Sequence, residues 1–85
     1  MDGVSQQQAP RERIHRIVAE MLAKKNRPPA GASDNLRDAG LSSLDMVNLM
    51  LAVEDTFDVV LPQAKMTPEN FRSIAAIEAL VLSLG

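Results

Sequence analysis

Two adjacent serines, Ser42 and Ser43, stand at the start of the apolar run "GLSSLDMVNLML" of residues 40–51. Ser42 can cap a helix that begins at Ser43, with Asp45 three residues later forming an imperfect capping box. The Ser43 hydroxyl then lies at the positive end of the helix dipole, where an attached phosphate would meet free backbone N–H groups. The pattern makes Ser43 a candidate for carrying a phosphate-linked group, and a plain cap-region serine is the alternative.

A hydrolytic function is the other chemistry that these residues could support. Ser43 could form a nucleophilic triad with His15 and Asp45, but the sequence has no G-x-S-x-G motif and no predicted strand before the serine. The absence of Cys excludes disulfides, thiolate metal sites and thiol catalysis by the chain's own side chains. A single His, and carboxylates without the spacing of a calcium loop, indicate no metal site. We therefore expect a protein that is not an enzyme.

Charge and composition narrow the possible partners. Residues 34–58 carry six acids against one basic residue, Arg37, whereas residues 1–33 carry six basic and three acidic side chains. Phosphate would repel the acidic segment, and two Phe with no Trp or Tyr leave little for base stacking, so nucleic acid is disfavoured. No apolar run approaches the roughly 20 residues of a membrane span, and the N-terminus does not resemble a signal peptide. These features predict a cytoplasmic protein with no membrane partner.

The helix that must pack against this motif is predicted to begin at Pro10, after a polar tail, residues 1–9, that we expect to be disordered. Its apolar stripe is formed by Ile14, Ile17, Val18, Met21 and Leu22. His15 lies beside this stripe and is interpreted as a solvated residue. The paired prolines of "NRPPAGAS" end the helix, and a long connection to residue 40 follows.

A second helix, predicted over residues 43–57, is apolar on two sides. With about 100° of rotation per residue, a core stripe is formed by Met46, Leu49, Met50, Val53 and Phe57. The apolar residues near the opposite side are Leu44, Val47 and Leu51, and their polar margins are Asn48, Glu54, Asp55 and Asp58. An apolar strip edged by acids is what a basic, grooved partner surface would recognise. The alternative is that the first helix or the long connection covers it.

The last third of the chain is predicted to close the bundle. "VVLP", residues 59–62, is interpreted as an extended connector that buries Leu61. "TPENF", residues 67–71, has a capping Thr before Pro, which favours a one-turn helix. The last helix is expected to be capped by Ser73 and to have a stripe formed by Ile74, Ile77, Leu80, Val81 and Leu84. The prediction is an all-α domain over residues 10–85, a small four-helix bundle with three long helices and one short.

The segment "DAGLSSLDMVNLMLAVEDTFDVVLP" resembles the centre of the acyl and peptidyl carrier protein family. The matching positions are Gly40, Ser43, Leu44, Asp45, Glu54, Asp55, Phe57, Leu61 and Pro62. The resemblance implies 4′-phosphopantetheine, transferred from coenzyme A by a phosphopantetheinyl transferase to the serine that matches Ser43. The thiol of this arm would hold cargo as a thioester. Partner enzymes of the family read the second helix, and that role would fall to Leu44, Asp45, Val47, Asn48, Leu51, Glu54 and Asp55.

One position departs from the family pattern, because Ser42 stands where an Asp usually precedes the modified serine. The exchange removes one negative charge beside the attachment point and leaves open which transferase acts. "GLSS" followed by "VNLMLAVEDTFD" is most similar to bacterial aminoacyl carrier proteins. Those proteins are served by amino acid:carrier protein ligases that resemble seryl-tRNA synthetases.

This resemblance implies a carrier that a ligase loads with a small amino acid, using ATP, and that delivers it to a downstream acceptor enzyme. We separately expect the protein to be a monomer. Two alternatives stay open from the sequence. One is a carrier of the fatty-acyl or polyketide type, and the other is an unmodified helical domain that binds a partner protein.

Overall fold

Four helices build the fold of residues 9–84, the part of the chain that the computed structural model describes. In chain order they are α1 (Pro10–Ala23), α2 (Leu36–Ala39), α3 (Ser43–Phe57) and α4 (Ile74–Leu84), with a 3-10 turn at Gln63–Lys65. No strand occurs within these residues. The predicted all-α bundle of three long helices and one short helix is therefore confirmed. The predicted disordered tail, residues 1–9, lies outside the described residues except for Ala9.

The apolar stripe of α1 docks this helix against both α3 and α4. Ile14, Val18 and Leu22 follow one another at single-turn intervals and are fully buried. Ile17 and Met21 flank them and are partly buried against the same core. Burial of this kind is the main favourable term in helix docking, at about 1.5–3 kcal/mol for each fully buried large side chain.

Two arginines of α1 contact the neighbouring helices from the surface. The Arg11 guanidinium lies 2.7 Å from the Glu78 carboxylate of α4. The Arg13 guanidinium lies 4.6 Å from the ring centroid of Phe57 and donates to the carbonyl of Thr56, at the end of α3. An exposed ion pair is worth at most about 1 kcal/mol, so these contacts position the N-terminal end of α1 while the buried stripe stabilises its packing.

The core stripe predicted for α3 is confirmed. Met46, Leu49 and Val53 are buried, and Met50 and Phe57 are partly buried beside them. The predicted stripe of α4 meets it from the other end of the chain, with Leu84 partly buried and the rest buried, namely Ile74, Ile77, Leu80 and Val81. One continuous core therefore joins the three long helices.

The prediction of a one-turn helix at residues 67–71 is wrong. These residues form turns in which Asn70 N–H donates to the Thr67 carbonyl at 3.1 Å and Phe71 N–H donates to the Pro68 carbonyl at 3.2 Å. The Thr67 hydroxyl does accept from Asn70 N–H, at 3.3 Å. The turn stops there because Phe71 is fully buried and Ser73 starts a new helix, its hydroxyl accepting from Ala76 N–H at 3.1 Å.

The short helix lies instead in the long connection, at Leu36–Ala39. Asn35 caps it, with its side-chain oxygen accepting from Asp38 N–H at 3.0 Å. Gly40 ends it at a φ of 131°, which side-chain-bearing residues rarely adopt. Leu36 is fully buried, and its N–H donates to the Arg72 carbonyl at 2.9 Å, which ties the helix to the turn before α4.

Two leucines of α3 provide a matched test of this packing, because Leu49 is fully buried and Leu51 is 55% exposed. We expect Leu49→Ala to lower the free energy of unfolding by about 2–5 kcal/mol, since it leaves a cavity in the core. Leu51→Ala should change it by less than about 0.5 kcal/mol. Urea unfolding followed by circular dichroism measures both values. Equal losses in the two variants would contradict the assignment of the two sides of α3.

Candidate functional site

The first turn of α3 is held by a complete capping box. The Ser42 hydroxyl accepts from Asp45 N–H at 3.1 Å, and the Asp45 carboxylate accepts from Ser42 N–H at 2.8 Å. Ser43 is the first residue of the helix, is exposed, and takes no part in this box. Its hydroxyl is therefore open to solvent beside the free N–H groups of the helix start, as predicted.

Lys25, just beyond α1, completes this arrangement through an ion pair with the Asp45 carboxylate. Its ammonium group also lies 3.4 Å from the Gly40 carbonyl. The hydrogen bond from Lys25 and that from Ser42 N–H lower the pKa of Asp45 from 3.8 to about 2. The carboxylate is thus ionised at neutral pH. Its partners lie within the protein, and it links the end of α1, the loop before α3 and α3 itself.

The second apolar side of α3 is uncovered. Leu44, Val47 and Leu51 are 69%, 50% and 55% exposed, and we name these three residues the α3 ridge. Asn48 and Asp55 beside the ridge are also exposed. The alternative that α1 or the long connection covers these leucines and this valine is therefore wrong. Apolar side chains that remain exposed along one helix face are typical of an interaction site.

Glu54 differs from the other residues expected to face a partner. Its carboxylate accepts from Leu61 N–H at 2.7 Å and is half-buried, so it holds the connector against α3. Leu61 is buried, as predicted for the "VVLP" segment. Five of the seven predicted docking residues therefore have exposed side chains, whereas the carboxylates of Asp45 and Glu54 have partners inside the protein.

An open groove of about 540 Å³ borders Ser43 on the side of α3 away from α1. Its apolar lining residues are Met46, Val47 and Met50 of α3, with Met66 and Pro68 from the segment after the 3-10 turn. Arg37 and Arg72 line the same groove. Sequence reasoning did not identify these two arginines. No local spacing could have done so, because they are far apart in the sequence and their segments meet through long-range contacts such as the hydrogen bond from Leu36 N–H to the Arg72 carbonyl.

The nucleophilic triad is not assembled. His15 is exposed, as predicted, but it lines a groove formed by α1, Ala32 and Ile74, whereas Ser43 lines the groove described above. The Asp45 carboxylate, the third candidate, pairs with Lys25. Across residues 9–84, no cluster of three or more His, Asp or Glu side chains could hold a metal ion. No helix in this range is both long enough and apolar enough to span a membrane.

Residues 12–81 match the family model described as "Phosphopantetheine attachment site". The sequence is also 43% identical over 75 residues to Aminoacyl carrier protein 1 of Bradyrhizobium diazoefficiens, covering 86% of this chain and 82% of the relative. The chain belongs to the aminoacyl carrier proteins of the phosphopantetheine-attachment family. It is a carrier and not an enzyme.

Two solved structures agree with this assignment. The carrier matches a chain in the crystal structure of Bradyrhizobium japonicum glycine:[carrier protein] ligase complexed with its cognate carrier protein and an analogue of glycyl adenylate. The TM-score is 0.69 at 44% identity, over 86% of this chain and 96% of that chain. It also matches a chain in the complex of that ligase with glycylated carrier protein, with a TM-score of 0.67 at 44% identity, over 82% and 96% of the two chains. The helical bundle is therefore that of a carrier protein.

The cofactor of the family is covalently attached 4′-phosphopantetheine, which supplies a thiol to a chain that has no Cys of its own. The geometry at the start of α3 fits this group. Ser43 is exposed at the first helical position, and Arg37 and Arg72 are among the residues that line the adjoining groove. Both features suit a phosphate ester on the serine.

The ion pair at Asp45 should make the free energy of unfolding depend on pH in the acid range. Because its pKa in the folded protein, about 2, lies below its ordinary value of 3.8, the carboxylate stabilises the fold above that value and loses this effect as pH falls toward 2. Asp45→Asn cannot titrate. The difference in unfolding free energy between wild type and Asp45→Asn should be constant near neutral pH and shrink between about pH 4 and pH 2.

Urea unfolding at a series of pH values measures this difference. Lys25→Met should also flatten the acid dependence, because it removes the cation that pairs with Asp45. Parallel stability curves for wild type and Asp45→Asn across the acid range would show that the ion pair is not formed.

Proposed function

We propose that the Ser43 hydroxyl carries the 4′-phosphopantetheine group and that its thiol holds an aminoacyl cargo. The observation that carries this assignment is the placement of Ser43, which is exposed at the first position of α3 beside the uncovered ridge. The attachment joins Ser43 Oγ to phosphorus, with loss of the hydroxyl proton and departure of the nucleotide half of coenzyme A. Ser42 is the adjacent hydroxyl, but its oxygen is occupied by the capping hydrogen bond from Asp45 N–H.

The proposed cargo is glycine or another small amino acid. The support for this comes from the relatives, which are named aminoacyl carrier proteins, and from the solved complex that holds a glycylated carrier. An amino acid:carrier protein ligase that uses ATP would load the thiol. A phosphopantetheinyl transferase would act before it and an acceptor enzyme after it, and we place this cycle in the cytoplasm with the carrier as a monomer.

The proposed docking surface is the α3 ridge with Asn48 and Asp55. Ser43 precedes the ridge directly, so a partner that binds Leu44, Val47 and Leu51 also lies over the attachment point. Asp45 and Glu54 act on the docking surface indirectly. Their carboxylates accept backbone hydrogen bonds that hold the first turn of α3 and the connector in place. Asp55 is an exposed acid at the margin of the ridge, and a basic group on the partner would complement it.

The attachment site is tested by mass spectrometry of the intact protein after incubation with coenzyme A and several phosphopantetheinyl transferases. We expect one phosphopantetheinyl group on the wild type, none on Ser43→Ala, and one on Ser42→Ala, the matched neighbouring serine. No mass gain with any transferase, or a gain that persists in Ser43→Ala, would remove the proposal. In that case the exposed ridge would favour an unmodified interaction domain.

The docking surface is tested by isothermal titration of the holo-protein with the Bradyrhizobium japonicum ligase. Leu51→Asp places a charge at the C-terminal end of the ridge. We expect the binding free energy to fall by at least about 2 kcal/mol, the range of an interface hot spot, or roughly 30-fold in Kd. Leu82→Asp is the control, because Leu82 is 61% exposed but lies on α4. Equal losses in both variants would argue against docking through α3.

A further inference from the structure

We propose that Arg37 and Arg72 hold the phosphodiester of the arm on Ser43 and direct the arm along the methionine-lined groove. This inference rests on the proposed attachment at Ser43 and goes beyond it, because it assigns a place on the carrier to the arm between encounters with enzymes. The ligand is the arm itself, which consists of a singly charged phosphate diester followed by a chain of methylene and amide groups.

The backbone brings the two arginines to the same side of Ser43. Arg37 lies in α2, and Arg72 lies in the turn before α4. The hydrogen bond of 2.9 Å from Leu36 N–H to the Arg72 carbonyl holds these two segments together. Both side chains are exposed, and both line the groove that Ser43 lines. A phosphate on Ser43 would therefore lie at the edge of a surface that carries two guanidinium groups.

The hydrogen-bonding capacity of the arginines suits a phosphate. Arg72 uses one terminal nitrogen to donate to the Glu69 carbonyl at 2.8 Å. A guanidinium group has five N–H donors in a planar fork that matches phosphate oxygens. The hydrogen bond to the Glu69 carbonyl thus orients Arg72 and leaves most of its donors free. Because the side chain is already oriented, binding a phosphate would cost little further side-chain entropy.

The charge balance also favours this side of α3. The groove that Ser43 lines contains Arg37, Arg72 and one acidic residue, Glu69, which gives it a formal charge of +1. The groove on the other side, between α1 and α3, contains Lys24 and Lys25 with two acids, Glu20 and Asp45. There Lys25 is already paired with Asp45. A phosphodiester is therefore drawn toward the arginines and not toward the lysines.

The lining of the groove suits the rest of the arm. Met46, Met50 and Met66 present flexible thioether side chains, which adapt to irregular apolar surfaces. The methylene groups of the arm can lie on them, while its amide groups keep contact with water because the groove is open. Such a contact is weak and reversible, so an enzyme that binds the α3 ridge can still withdraw the arm.

The absence of Cys makes a direct test possible, because the thiol of the arm is the one thiol of the holo-protein. A thiol-directed nitroxide therefore labels the arm alone, and it broadens the NMR signals of methyl groups that it approaches. We expect the methyl groups of Met50 and Met66 to be broadened strongly and that of Met21 weakly. Met21 is the internal control, since it lines the other groove, between α1 and α3.

The arginines are tested by the double variant Arg37→Gln, Arg72→Gln, which should lose the broadening at Met50 and Met66. Arg16→Gln is the matched control, because Arg16 is an exposed arginine of α1 that lines the groove of His15, and it should keep the broadening. The effect of salt on the broadening tests the same contact in the wild type. About 1 M salt shortens the Debye length to about 3 Å and should also reduce the broadening.

Three results would overturn the proposal: equal broadening of Met21 and Met66 in the wild type, broadening that survives the loss of both arginines, or broadening that does not change with salt. Each of these requires a holo-protein, so each leaves the attachment at Ser43 standing. Failure of the wild type to acquire the arm at all would instead strike the proposed function, and the mass spectrum distinguishes the two failures.

Discussion

The capping box at the start of α3, with its ion pair to Lys25, is the interaction on which the site depends. Ser42 and Asp45 satisfy each other's backbone N–H groups, and Lys25 joins this turn to the end of α1. A helix start without such partners frays, because its first N–H groups have no acceptor within the helix. Here three segments hold the first turn in place. The hydroxyl of Ser43 therefore has a defined position relative to the ridge before any partner enzyme binds.

The bundle explains why α3 keeps one apolar side free. α1 packs against α3, and Leu49 and Val53 of α3 are fully buried in a core to which α1 and α4 also contribute. The connector is held at the end of α3 by the hydrogen bond from Leu61 N–H to the Glu54 carboxylate. Among residues 9–84, Leu44, Val47 and Leu51 of this helix remain at least half exposed. The same helix therefore supplies part of the core and the three apolar residues of the proposed docking ridge.

Much of the fold and part of the site could be predicted from the sequence, because helical periodicity is a local signal. The stripes of α1, α3 and α4 follow from spacing alone, and so does the opposite placement of the ridge. The short helix was misplaced because Thr67-Pro68 and Asn35 are both plausible caps, and the choice between them is made by long-range contacts such as that of Leu36 N–H with the Arg72 carbonyl. The hydrogen-bond partners of Asp45 and Glu54 could not be predicted for the same reason. A sequence pattern places a carboxylate on one face of a helix but does not determine which donors it accepts from.

Gly40 shows how narrowly the entrance to α3 tolerates change. Its φ of 131° is strained for any other residue, and a Cβ atom at this position would lie 2.6 Å from Nε of Arg27. Any replacement therefore meets a backbone penalty, and the exposed side chain of Arg27 must also move aside. Sequence drift in this protein has little freedom at position 40, and loop grafts or library designs that aim to alter the carrier should leave this glycine unchanged and place their diversity in the exposed residues beyond it.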